Sequence, residues 1–135
     1  MELNKKIIEL TNKLTSNKYL EVIKEGNELI KKYPNLFIFY NIVGLAYQGL
    51  VRLEESEKFF LKAIEINPKE VGPKNNLANT YYSLGKLEES EKLFEEILSK
   101  LGRSPVVLVN YSRVKKKLND FNKAKNLLEE ALNLD

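Results

Sequence analysis

Apolar side chains recur along this chain at intervals of three and four, as in Val43, Tyr47 and, after a polar break, Phe60, Ala63 and Ile64. That spacing puts them on one face of an α-helix and leaves the other face to Lys, Glu and Asn. The breaks fall where backbone chemistry stops or starts a helix. Asn67–Pro68 closes one, Gly72–Pro73 opens the next, and Ser104–Pro105 reads as an N-cap followed by proline in the first turn. The pattern predicts eight helices, near 3–15, 19–32, 36–49, 53–66, 71–84, 87–100, 105–118 and 121–134, and no strands.

The hexapeptide LEESEK occurs at 53–58 and again at 87–92, a separation of 34 residues. Laying 37–70, 71–104 and 105–135 under one another at that period needs no gap. Tyr47 falls above Tyr81, Phe60 above Phe94 above Leu128, and Ala63 above Ile97 above Ala131. Small residues form two further columns, Gly44, Ala78 and Ser112, and Ser56, Ser90 and Ala124. Small side chains on facing sides let two antiparallel helices approach closely, with a ring such as Phe60 or Phe94 beside them. Residues 3–36 fit as a degenerate first unit, with Pro34 matching Pro68, Leu29 matching Ala63 and Val22 matching Ser56. LEESEK therefore begins the second helix of a unit. Leu53 and Leu87 should turn inward, Ser56 and Ser90 allow close packing, and the glutamates sit favourably at a helix N-terminus.

The period, the helix pair and the column residues resemble the tetratricopeptide repeat. The second unit supplies Tyr40, Val43, Gly44, Tyr47, Phe60, Ala63 and Pro68 at that motif's positions, and the third Leu77, Ala78, Tyr81, Gly85 and Phe94, with Ile97 and Gly102 as departures. The fourth is weaker, with Tyr111, Ser112 and Lys115 replacing the motif's Leu, Gly and Tyr, while Ala124, Leu128 and Ala131 hold. The resemblance implies an all-α fold, an α-solenoid forming a right-handed superhelix, as a single array over 1–135. First helices would line a concave groove.

Composition narrows the chemistry. The chain has no Cys and no His, which removes thiol nucleophiles, disulfides and the commonest metal ligand and general base. No Gly-rich phosphate loop is present. The glutamate pairs 54/55, 88/89, 95/96 and 129/130 are adjacent along helices and diverge in direction, as solvated faces do. The sequon at 110–112 lies mid-helix. We expect no enzyme activity, no metal and no cofactor. A net charge of +3 is far from a nucleic-acid footprint, so no nucleic-acid partner is expected. The apolar stretch 36–47 is interrupted by Asn41 and too short for a bilayer, and the N-terminus lacks a signal-peptide core. No membrane partner and a cytoplasmic location, in a bacterium, are the corresponding expectations.

Function is then sought on the first helices. Spacing places Ile38, Asn41, Ile42 and Leu45 on the groove in the second unit, Asn75, Asn76, Asn79 and Tyr82 in the third, and Asn110, Arg113, Lys116 and Lys117 in the fourth. The surface would run from apolar through amide-rich to basic, accepting an extended peptide or partner helix with an acidic segment. Asn76 and Asn110, one period apart, would each pair with peptide backbone, similar to the asparagine ladder of some peptide-binding arrays. Equally, Asn is abundant throughout the chain, and a run such as Arg113, Lys115, Lys116 and Lys117 reads as ordinary solvated surface. The clamp with which chaperone-binding members of the family hold a peptide C-terminus is not matched: Leu45, Val106 and Asn110 stand at its positions. The last unit stops at Leu134–Asp135 with Leu127, Leu128, Ala131 and Leu132 uncovered by a polar helix. That predicts either self-association or a piece of a longer protein, such as the recruiting arm of a bacterial sulfotransferase or glycosyltransferase.

Overall fold

The computed structural model describes residues 2–134; Met1 and Asp135, the limits of the expected array, lie outside the described residues. The described residues form α1 (Glu2–Thr15), α2 (Tyr19–Lys32), α3 (Phe37–Gly49), α4 (Leu53–Ile66), α5 (Val71–Ser83), α6 (Leu87–Glu96), α7 (Pro105–Lys117) and α8 (Phe121–Asn133). Contact density divides the chain into two compact units between Pro73 and Lys74, in the first turn of α5.

Helix ends follow the local chemistry. The Ser104 hydroxyl accepts from the Val107 N–H at 3.3 Å at the start of α7, and the Asp120 carboxylate accepts from the Lys123 N–H at 3.2 Å at the start of α8. Each satisfies a backbone donor that the helix cannot. Within every repeat the first helix ends in one backbone device. Asn17, Val51, Gly85 and Asn119, spaced by 34 residues, have φ of 61°, 58°, 79° and 65°. The next residue donates back five positions, from Lys18 to Lys13, Arg52 to Tyr47, Lys86 to Tyr81 and Asp120 to Lys115, at 2.8–3.0 Å. This is the Schellman closure, in which one left-handed residue reverses the chain and pairs the last carbonyls. Gly and Asn suit that residue; Val51 does not.

In the first unit Leu10, Val22, Phe39, Ile42 and Ala46 form the buried cluster, with Ile7, Leu14, Ile23, Leu29 and Ile38 packed against it. Close approach depends on missing side chains. A Cβ on Gly44 would stand 2.6 Å from the Phe60 ring, and one on Gly26 would overlap the Val43 methyl. Phe60 is wholly buried as a result.

In the second unit Phe94 stacks on Tyr111, centroids 5.5 Å apart, above a core that includes Leu98, Leu108, Val114 and Leu127. Ser90, small enough to let α6 approach α5, donates from its hydroxyl to the Ala78 carbonyl at 2.8 Å. Leu53 and Leu87, expected to turn inward, are half-buried. The predicted helix 87–100 is α only to Glu96 and continues as a π-helical turn, Ile97–Leu101. Gly102 stands where Pro68 stops α4, so nothing ends the helix at that point. The last turn widens, the Gly102 N–H bonds the Ile97 carbonyl five residues back at 3.1 Å, and Gly102 leaves with φ of 117°. Arg103 then forms a two-armed ion pair with Glu130 of α8, which holds the carboxyl of Glu130 below its ordinary value through the hydrogen bond.

Candidate functional site

The first helices place the expected groove residues unevenly. On α3, Ile42 is only 4% exposed and belongs to the core cluster of the first unit. Its side chain packs among Leu10, Val22, Phe39 and Ala46, so it is core and offers no surface to a ligand. Ile38 is half-buried against the same cluster, and Asn41 and Leu45 are half-buried.

In the second unit the expected residues do come together. The Asn110 amide on α7 donates to the Asn75 side-chain oxygen on α5 at 3.1 Å. The amide pair is therefore Asn75 with Asn110, from adjacent first helices, whereas the period pairs Asn76 with Asn110; Asn76 and Asn79 are half-buried. The bond uses one N–H of Asn110 and one lone pair of Asn75, so the pair keeps both donor and acceptor capacity, which is what a peptide group requires. Further along the same helices, the Arg113 guanidinium lies over the Tyr82 ring, 4.8 Å from its centroid.

The basic run of α7 is split by helical geometry. Lys115 turns inward, its ammonium against Glu91 and 3.9 Å from Asp120, with its side chain 15% exposed. It occupies the column of Tyr47 and Tyr81, a signal present in the sequence. Tyr111 beside it donates its phenol to Glu95 at 3.1 Å, and burial, reinforced by that carboxylate, holds its ionisation far above the ordinary 10.0. Arg113, Lys116 and Lys117 point the other way. They line an open cavity of about 680 Å³ with Tyr82, Asn119 and Phe121. No carboxylate lines it, and among the described residues no ion pair within 4.0 Å neutralises these three cations.

Phe121 is not among the expected site residues. Its column holds Tyr19, Leu53 and Leu87, all half-buried, whereas Phe121 is 59% exposed. The column therefore points to core. Elsewhere on α8, Leu127 and Ala131 are buried while Leu128 and Leu132 are exposed.

A second cleft, about 300 Å³, lies between α1 and α2. Its Lys6, Lys13 and Lys32 face Glu9, Glu25 and Glu28. Lys13 and Glu25 pair at 2.6 Å, so the cleft presents no unbalanced charge. Among the described residues no group of three or more acidic side chains converges as a metal site, and no helix is long and apolar enough to cross a membrane.

Helix pairs repeated at this period, with left-handed closures in register, define a helical repeat protein. Sequence profiles described as tetratricopeptide repeat match residues 38–70, 74–103 and 106–135, and the chain belongs to the tetratricopeptide repeat family. It is an all-α protein of the tetratricopeptide-repeat solenoid class. Among solved structures, it is similar to a thermophilic TPR protein of Thermus thermophilus (TM-score 0.85, 18% identity, 92% of this chain and 69% of that one). It is also similar to PilW, a type IV pilus biogenesis factor (TM-score 0.88, 19% identity, 97% of this chain and 61% of that one). The TPR domain of Sgt2 from Aspergillus fumigatus is a third (TM-score 0.78, 17% identity, 90% and 82%). At these identities the likeness is one of fold. No curated protein sequence matches the chain.

Proposed function

We propose that this chain is a protein-interaction module that binds an extended acidic segment along α5 and α7. The fold class is one of protein–protein interaction modules. The observation that carries the finer reading is the set of unneutralised cations, Arg113, Lys116 and Lys117, around one cavity of the second unit. The inward ion pair of Lys115 supports it, because the same helix neutralises the cation that turns away from the cavity. The Asn75–Asn110 amide pair, next along these helices, supplies a donor and an acceptor for the ligand backbone.

Each exposed charge pair contributes only ~0.2–1 kcal/mol in solvent, so the cations should govern association rate and salt dependence. The test is fluorescence anisotropy with a labelled, extended Asp/Glu/Gly peptide. Reversing Arg113, Lys116 and Lys117 to Glu together should weaken binding on the order of tenfold at low salt and much less at high salt. Asn110→Ala should weaken it at both. Binding left unchanged by either variant would remove α5 and α7 as the interaction surface.

A further inference from the structure

We infer that the cavity reads a carboxylate and an aromatic side chain together, so that the partner segment carries a Phe, Tyr or Trp next to its acidic residues. This deepens the proposed function and rests on it for the acidic half of the ligand. The Arg113 guanidinium carbon lies over the Tyr82 ring, 4.8 Å from its centroid, and a guanidinium that meets a ring through its flat side keeps its in-plane N–H edge for another partner. That edge matches a carboxylate with two parallel hydrogen bonds. Lys116 and Lys117 add positive charge beside it. Both lie in the last turn of α7, where the helix's own carbonyls oppose concentrated negative charge. A singly charged carboxylate suits that end better than a phosphate dianion.

The apolar half comes from Phe121. Phe121 is 59% exposed and lines the cavity beside three cations, the Asn119 amide and Tyr82, whose ring lies under Arg113. A peptide of acidic and small residues would leave that ring wet and most of the 680 Å³ unfilled. An aromatic side chain fills such a space and buries roughly 150–250 Å². The lysine stems can cover its edges while their ammonium groups stay in water. Single-stranded nucleic acid fits less well. Its bases need successive stacking rings, and the Tyr82 face is already taken by Arg113.

The experiment compares three labelled probes by anisotropy with the full chain: an eight-residue Asp/Glu/Gly peptide, the same peptide with one central Gly replaced by Phe, and a single-stranded oligonucleotide. The Phe peptide should bind about tenfold tighter than its Gly parent. Phe121→Ala should erase the difference between the two peptides, and Arg113→Gln should weaken both. Equal binding of the two peptides to the wild-type chain overturns the aromatic reading and leaves the acidic one standing, and that comparison requires no variant to fold. Failure of both peptides to bind removes the proposed function itself. Preference for the oligonucleotide over both peptides overturns both.

Discussion

Replacing Val51 with glycine should stabilise the protein, although it deletes a side chain and adds backbone freedom. Val51 closes α3 in the left-handed region, at φ of 58°, where an L-residue's Cβ crowds the following carbonyl at a cost of roughly 1–2 kcal/mol. A β-branched side chain belongs at the upper end, about 2 kcal/mol. Glycine removes that strain. Against it stand about 0.5–1 kcal/mol for the extra entropy of an unfolded glycine. Lost packing adds only a few tenths, because the side chain is 74% exposed. The net gain is about 1 kcal/mol, a rise in Tm of roughly 4 °C for a chain of this size. Urea melts followed by circular dichroism would read it as a higher midpoint at unchanged slope. The mirror experiment is Gly85→Val, one repeat later, where φ is 79° and an added Cβ meets nothing within 4 Å. It should cost about 1–2 kcal/mol through backbone strain alone. If Val51→Gly is neutral or destabilising while Gly85→Val is tolerated, the shared left-handed closure is not what determines the energetics of these turns.

Two further expectations concern the second unit. Phe94→Ala should cost ~3–5 kcal/mol, because the ring is wholly buried and stacked on Tyr111. Leu128→Ala, at the same column position but 42% exposed, should cost no more than about 1–1.5 kcal/mol; equal losses in denaturant melts would contradict this assignment of burial. Stability should also fall at alkaline pH through Tyr111. Burial raises its folded ionisation well above the ordinary 10.0, so the unfolded chain gives up that proton first. The contribution is fully present below pH 10 and declines as pH rises above it. Urea midpoints from pH 8 to 11 should drop less steeply in Tyr111→Phe than in the wild type, and parallel slopes would refute the assignment.

Much of the fold was legible because one period governs it. Seven of the eight helices lie within a residue or so of their expected limits. The eighth, α6, departs where Gly102 replaces a proline, and the sequence said only that the stop was missing, not that a π-helical turn would use the space. The left-handed column was hidden because Asn, Val, Gly and Asn share a backbone angle and no side-chain property. At the site, spacing put Tyr82, Arg113, Lys116 and Lys117 on one surface, and in the structure these four line one cavity. It misplaced Ile42, because groove and core positions are a single helical step apart and neighbouring helices decide which side is covered. It singled out Asn76 and Asn110 as equivalent positions one period apart and did not foresee the contact of Asn110 with Asn75, since a period identifies equivalent positions and not touching ones. Phe121 escaped because its column predicts an inward residue.

The division of the α7 lysines has a consequence in chemical reactivity. An amine ion-paired with a carboxylate, with little access to solvent, is shielded from an acylating reagent, while a solvated neighbour meets it freely. Lys115 is held in that way by Glu91, whereas Lys116 and Lys117 stand in the open. Three consecutive lysines thus carry their own internal standard: a reagent that modifies amines reports occupancy of the cavity by the labelling of the second and third relative to the first, in the unaltered protein and in any mixture where its peptides can be weighed.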